Sequence, residues 1–477
     1  MNSAKSLIKV KPQSIELFEA VLLVKRSGFV EVYDMFVTSK FSFLTLLFVL
    51  IGTFCMAEDS SAWRDLKESS VRNGLPNVAA KLAAGEPVKI AYLGGSITSQ
   101  QGWRIYSEAW FEERYPDSEI TGINAAIGGT GSTLGVFRLE RDVLQHEPDL
   151  LFVEFAVNDR AGLEYQLAME GIVRKTWKRF PDTDICFVYT ITNHEIEHLR
   201  TGKMKRTSSN MEAIADYYGI PTVHMGVEIV EMEKAGRLVM KEPEANMEAV
   251  SGDDLNQSSE LPASAGRPVV FSKDGVHPYV DTGHRLYMDA LARSLPQALA
   301  VGEAFPHRLS DPMFENNWEQ ATIVKISELG PDSLEGAWQQ LKAPEDPLAK
   351  RFLMRMPELW RAEPGSTLSF QFKGTRVAVY DLLGPGCGMI RVTVDGKSRM
   401  LKRMDGYCHY YRLGTVELAG NLEDTVHDVV VEVSTETFDK RSVLFERVRN
   451  KFDESPERFE AMDWYPGAVF LLGELVH

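Results

Sequence analysis

Lys89-Ile90-Ala91-Tyr92-Leu93-Gly94-Gly95-Ser96-Ile97-Thr98-Ser99-Gln100-Gln101 is the stretch on which the reading of this chain turns. A short apolar run, Ile90 to Leu93, ends in two glycines and a serine. A helix-like stretch, Trp103 to Arg114, follows. The order is strand, tight turn, helix. A serine at such a turn carries an exposed hydroxyl beside outward-pointing backbone N–H groups. Taken alone, Gly94-Gly95-Ser96 is an ordinary turn with a helix cap.

Outward from this stretch the pattern alternates. Strand-like runs fall at Leu150–Phe155 and Ile185–Ile191, with weaker ones at Ile120–Ala126 and Ile220–His224. Amphipathic stretches lie between them at Leu134–Gln145, Leu163–Arg179 and Met204–Tyr218. This predicts an α/β domain, a parallel sheet with helices on both faces. Sites in such sheets form at the carboxyl ends of the strands. Ala245 to Pro268 is polar and reads as a surface loop; Val269 to Pro278 is an apolar run and turn before a helix from about Asp281 to Leu299. Beyond about Val301 short strand-like runs dominate: Thr367–Phe372, Arg376–Tyr380, Met389–Val394, Val429–Val433 and Ala468–Leu472. Turns are expected at Lys373-Gly374 and Asp395-Gly396. This part predicts an antiparallel β-sandwich. The expected divisions are 1–57, 58–303 and 304–477.

The chain has 477 residues, enough for two domains, and a formal net charge of -16, which argues against a nucleic-acid or anionic-membrane partner. One uncharged apolar run, Phe41 to Ala57, follows Lys40, and Cys55-Met56-Ala57 resembles a signal-peptidase site. The expectation is a secretory signal peptide cut after Ala57, and a secreted or periplasmic protein; a single-span anchor is the alternative and the sole membrane contact. Met1 and Met35 both remain open as the start. Of four cysteines, Cys186 reads as a core thiol, while Cys387 and Cys408 are left open as a pair or as free thiols.

Four blocks follow in order: Gly94-Gly95-Ser96-Ile97-Thr98, Asn124 to Thr130, Phe155-Ala156-Val157-Asn158-Asp159, and Asp274-Gly275-Val276-His277-Pro278. Ser96 needs a base, which His277 supplies, and His277 needs a carboxylate, which Asp274 supplies three residues away. The Ser96 and Gly129 N–H groups and the Asn158 amide are candidate oxyanion donors. Each block is weak alone. Together, each at a strand end, they resemble the SGNH hydrolases, the GDSL-like lipase/acylhydrolase superfamily. The resemblance covers roughly Val88 to Leu299. It implies a flavodoxin-like three-layer α/β fold, Ser96 as nucleophile, Gly129 and Asn158 as an oxyanion hole, and Asp274 and His277 as the dyad. The family's Asp before the serine is replaced here by Gly95. The G-G-S-I-T form is closer to branches acting on acylated carbohydrates. Pro364 to Thr375 resembles, more loosely, jelly-roll modules beside carbohydrate esterases, with Trp360, Tyr410 and Tyr411 as candidate sugar contacts or core residues.

Two competing signals occur. His194-Glu195-Ile196-Glu197-His198 matches the zinc-protease H-E-x-x-H pattern, but it directly follows a predicted strand rather than lying within a long helix. Gly129 to Gly135 before a strand containing Glu154 imitates a dinucleotide fingerprint with the wrong glycine spacing. The favoured reading is an exported serine esterase with no cofactor and no metal, acting on an O-acyl ester, an O-acetyl above all, of a carbohydrate or another small ester. An acyltransferase on the same fold and a catalytically silent carbohydrate-binding protein are the alternatives.

Overall fold

The computed structural model describes residues 63–242, 255–258 and 267–476, and the dipeptides Ile8–Lys9 and Val21–Leu22. Those dipeptides pair antiparallel in a unit of their own, Met1–Ser60. The expected signal segment and most of the expected polar loop at 245–268 lie outside the described residues. Ser61–His477 forms one compact unit. Among the described residues no helix is long and apolar enough to cross a membrane.

The first part of that unit is built on β1 (Ser69–Ser70), β2 (Val88–Gly94), β3 (Ile120–Asn124), β4 (Leu150–Glu154), β5 (Asp184–Tyr189) and β6 (Thr222–His224). The spatial order is β1-β6-β5-β4-β2-β3. All neighbours are parallel except β1, which pairs antiparallel with β6. The expected parallel sheet is therefore present. The order places a switch point between β2 and β4, since their connections leave towards opposite edges.

Helices cover both faces because successive side chains of a buried strand point to opposite sides. Ala91 and Leu93 of β2 join one apolar cluster with α4 (Ser132–Asp142), α5 (Leu163–Arg179) and α7 (Arg206–Tyr218). Ile90 and Tyr92 join the other with α1 (Pro76–Ala84), α3 (Trp103–Arg114) and α9 (Gly283–Leu299). The two short helices passed over are α2 (Ser96–Ser99) and α6 (Ile196–Leu199), and α8 is Val227–Lys234.

The C-terminal part is an antiparallel sheet around one 17-residue strand, Thr367–Leu383. Here the reading of two strands with a turn at Lys373-Gly374 is corrected. The backbone runs straight through, and the glycine marks an irregularity where the register against Tyr465–Val476 shifts between Gly374 and Arg376. A side chain at Gly374 would sit 2.1 Å from the Leu472 carbonyl oxygen, so glycine serves close strand approach rather than chain reversal. Upstream of the shift this strand pairs with Thr425–Val433, and downstream with Arg412–Ala419. The Asp395-Gly396 turn is as expected: both residues have positive φ, 49° and 76°, and join Met389–Val394 to Lys397–Lys402. Cys387 and Cys408 are buried free thiols; Cys387 lies against the Leu382 carbonyl and Cys408 against Asp405.

The two parts share apolar packing. Phe137 of α4 stacks on Phe470 with ring centroids 4.7 Å apart and meets Trp318 at 5.8 Å. Half-buried Lys175 of α5 donates to the Ala321 carbonyl at 2.6 Å. One continuous cluster thus runs from β2 through α4 and α5 into the antiparallel sheet.

Candidate active site

All four sequence blocks arrive at the carboxyl ends of the parallel strands. Ser96 opens the short helix α2 directly after β2, with extended Gly95 before it. His277 Nε2 lies 2.9 Å from Ser96 Oγ, and His277 Nδ1 lies 2.8 Å from Asp274 Oδ2. The second Asp274 oxygen accepts the backbone N–H groups of Val276 and His277, both at 2.8 Å. Burial pushes the Asp274 carboxyl up, but the His277 ring and these two N–H groups outweigh it and hold the carboxyl at about 2. The three residues form one continuous chain, carboxylate to imidazole to hydroxyl. Asp274 is almost covered, with 7% of its side chain exposed, and His277 retains 16%.

Asn158 follows β4 and folds back on the serine turn. A Cβ at Gly95 would lie 2.1 Å from Asn158 Oδ1. Any side chain at position 95 therefore displaces the Asn158 carboxamide, which gives a physical reason for glycine where the resembling family carries aspartate. Gly128 lies beside the serine: a Cβ there would meet Ser96 Cβ at 3.5 Å, an ordinary contact distance. Gly129 has φ +74° and open space where a side chain would be.

Three supporting residues escaped sequence reasoning. Glu154, the last residue of β4, is buried and accepts Thr98 Oγ1 at 3.0 Å and Thr190 Oγ1 at 2.7 Å. Burial raises its pKa despite these bonds. It ties the serine turn to the end of β5. Arg138 of α4 is fully buried and donates to the Ala125 and Gly94 carbonyls, joining the ends of β3 and β2. Asp159 accepts the Ser132 N–H at 2.8 Å at the start of α4, and burial pushes its carboxyl up to about 7. An acid closing an apolar strand, Leu150-Leu151-Phe152-Val153-Glu154, was the available signal for Glu154.

The chain segment holding the H-E-x-x-H match is a 3-10 turn, Asn193–Glu195, followed by α6. His198 turns its ring to the Met204 carbonyl at 2.9 Å and packs on Trp63. Glu195 pairs with Lys205 at 2.7 Å. Among the described residues no group of three or more His, Cys, Asp or Glu is arranged to hold a metal. The turn does abut the dyad, since the Asn193 N–H donates to the Gly275 carbonyl at 2.7 Å.

Residues 92–286 match the GDSL-like lipase/acylhydrolase family. The match falls within the α/β domain and agrees with the resemblance read from the sequence. No curated protein matches the chain. Among solved structures, a two-domain esterase active on acetylated mannans, co-crystallised with mannopentaose, superposes with a TM-score of 0.63 at 21% identity, covering 85% of this chain and 97% of that one. The same esterase without mannopentaose gives 0.62 at 21%, covering 85% and 98%. An acetylxylan esterase from Geobacillus stearothermophilus gives 0.31 at 18%, covering 45% and 95%. The GDSL-like domain and the antiparallel sheet domain after it thus reproduce a known two-domain architecture.

Between the two parts lies a cleft of about 380 Å³, walled by Gly128 to Gly131 on one side and by Arg351, Arg355, Tyr380 and Tyr410 to Thr415 on the other. Tyr410 and Tyr411, two of the candidate sugar contacts, stand in this wall. Trp360 does not. It belongs to Leu359–Ala362 and packs edge-on against Trp338, 6.4 Å between centroids.

Proposed function

We propose that this chain is an exported serine esterase that removes an O-acyl group, acetyl first, from a carbohydrate. The observation that carries the reading is the unbroken contact chain from Asp274 through His277 to the Ser96 hydroxyl. In this reading His277 Nε2 takes the Ser96 proton as Oγ attacks the ester carbonyl. Asp274 accepts the Nδ1–H, which fixes the tautomer and balances the imidazolium. The Ser96 and Gly129 N–H groups and the Asn158 amide receive the oxyanion. The tetrahedral intermediate collapses, and His277 returns the proton to the departing sugar hydroxyl. Water, deprotonated by His277, then releases the acid and restores Ser96.

The family match supports ester chemistry, and likeness to an esterase active on acetylated mannans supports a carbohydrate ester. The apolar Phe41 to Ala57 segment supports export. The test is hydrolysis of a short-chain aryl acetate by the purified protein and by Ser96→Ala, each with and without EDTA. The expected result is activity that survives EDTA and is lost in the variant; activity that survives the substitution and disappears with EDTA refutes the serine mechanism. For export, the first residue of the secreted form should be Glu58.

A further inference from the structure

The wall of the interdomain cleft has an unusual charge. No carboxylate lines it among the described residues, although the chain carries a formal net charge of -16. Three guanidinium-bearing residues do: Arg351, Arg355 and Arg412. Arg412 is neutralised by Asp405. Arg351 and Arg355 have no carboxylate partner among the described residues, and with no carboxylate on the cleft wall their two charges are not offset there. The Arg351 guanidinium stands 6.0 Å over the ring of exposed Tyr410. The opposite wall includes Gly128 and Gly129, and Gly128 lies beside Ser96.

An unpaired guanidinium beside a tyrosine face is a receptor for a planar or tetrahedral anion carried on a sugar ring. The ring stacks, and the fork of N–H donors meets carboxylate or sulfate oxygens. A neutral glycan would leave both positive charges unanswered. In an acidic protein these charges would also draw an anionic chain towards the nucleophile against the general repulsion.

We propose that the ester is carried on an anionic glycan, and that Arg351 and Arg355 bind a carboxylate or sulfate group of that glycan beside the acylated sugar. The inference deepens the esterase reading and rests on it for the identity of the reacting group. The antiparallel domain then supplies substrate selection across a cleft whose other wall belongs to the α/β domain.

The experiment measures binding rather than turnover, so that the two readings fail separately. Ser96→Ala protein is titrated calorimetrically, at low salt, with three unacetylated tetrasaccharides: an oligogalacturonate, a sulfated galactan fragment and mannotetraose. The same titrations use a variant that adds Arg351→Gln and Arg355→Gln, which keeps much of the side-chain length and removes the charge. The expected result is at least about tenfold tighter binding of one anionic tetrasaccharide than of mannotetraose, falling to within about threefold in the glutamine variant. Which anionic tetrasaccharide binds tells carboxylate from sulfate. The preference should also shrink as salt rises. Mannotetraose bound as tightly as both anionic sugars, or an anionic preference unchanged in the glutamine variant, overturns the inference. Because each reading is a ratio within one protein, a general loss of folding cancels. An anionic preference with no aryl acetate hydrolysis by the native protein would keep this site and sink the esterase reading.

Discussion

Two histidine–carboxylate pairs sit at opposite ends of the same parallel sheet. His277 and Asp274 lie at the carboxyl ends, and His307 and Asp184 at the amino ends, Asp184 being the first residue of β5. Both contacts measure 2.8 Å. The difference is in what surrounds them. The Asp274 pair continues to a hydroxyl, Ser96, and stays partly open to solvent. The Asp184 pair ends in structure: its carboxylate also accepts the Val78 N–H at 2.9 Å and the Asn77 amide at 3.3 Å, and the His307 ring stacks flat on Trp177 at 4.5 Å. Burial also moves the Asp184 carboxyl above its ordinary value, against the pull of His307, while Asp274 is held low. In the proposed mechanism the first pair passes a proton, while the second pins α1 and the segment at His307 to the sheet. A pair of residue types is therefore not a site until a reactive partner stands on the free nitrogen.

The largest losses should come at the hydroxyl and its base. Ser96→Ala and His277→Ala should each lower kcat for acetate release by about 10⁵-fold or more, and the double variant should be no worse than either, because the residues act as a unit. Asp274→Asn keeps the shape but favours the wrong tautomer, so kcat should fall by about 10⁴-fold in the same assay. Asn158→Ala, tested by kcat with KM nearly constant, should cost about 10²- to 10³-fold. Asp184→Ala should do the reverse: kcat at 25 °C within about twofold of native, but stability lower by about 3 kcal/mol in urea denaturation, since buried donors lose their acceptor. A large kcat loss there would erase the distinction between the two pairs.

The smallest effect concerns pH. The Asp274 carboxyl is held at about 2 in the folded chain, below its ordinary value of 3.8. A depressed carboxylate contributes stability that is complete above the unfolded value and lost as pH falls through the folded one. Native protein should therefore exceed Asp274→Asn by about 2 kcal/mol near neutral pH, with the gap closing between about pH 4 and pH 2. Urea melts across that range measure it; a gap that persists at pH 2 would mean the carboxylate is not held by its His277 bonds.

Much of the fold was readable because the signals are local. Trp103–Arg114 and Leu163–Arg179 form as helices at the read boundaries, and Met389–Val394 as a strand. Of the weaker strands, one ends early, at Asn124, where the chain leaves the ladder for the glycine loop, and the other begins late, at Thr222, after Pro221, which has no N–H to give. The Lys373-Gly374 turn was misread because glycine reports close backbone approach as readily as chain reversal, and only the neighbouring Leu472 distinguishes them.

The site divides in the same way. Ser96 and Asn158 could be named from sequence because the βα turns of a parallel sheet deliver residues just after strands to one edge, and Asp274 and His277 because their spacing sets carboxylate and imidazole on one turn, although the strand before them, Val269–Val270, pairs with Leu238–Val239 outside the main sheet. Arg138 could not, and Glu154 only as an acid closing an apolar strand, since what each bonds depends on which carbonyl or hydroxyl lies opposite it in the packed interior. Nor could the cleft wall. Arg351 and Tyr410 come more than 200 residues after Gly129, and nothing local states that the packing of Phe137 on Phe470 will set them opposite it. Local patterns determine which residues can react, because turn and strand propensities act over a few bonds. Packing between distant apolar surfaces decides what those residues face, because burial has no direction until both surfaces exist.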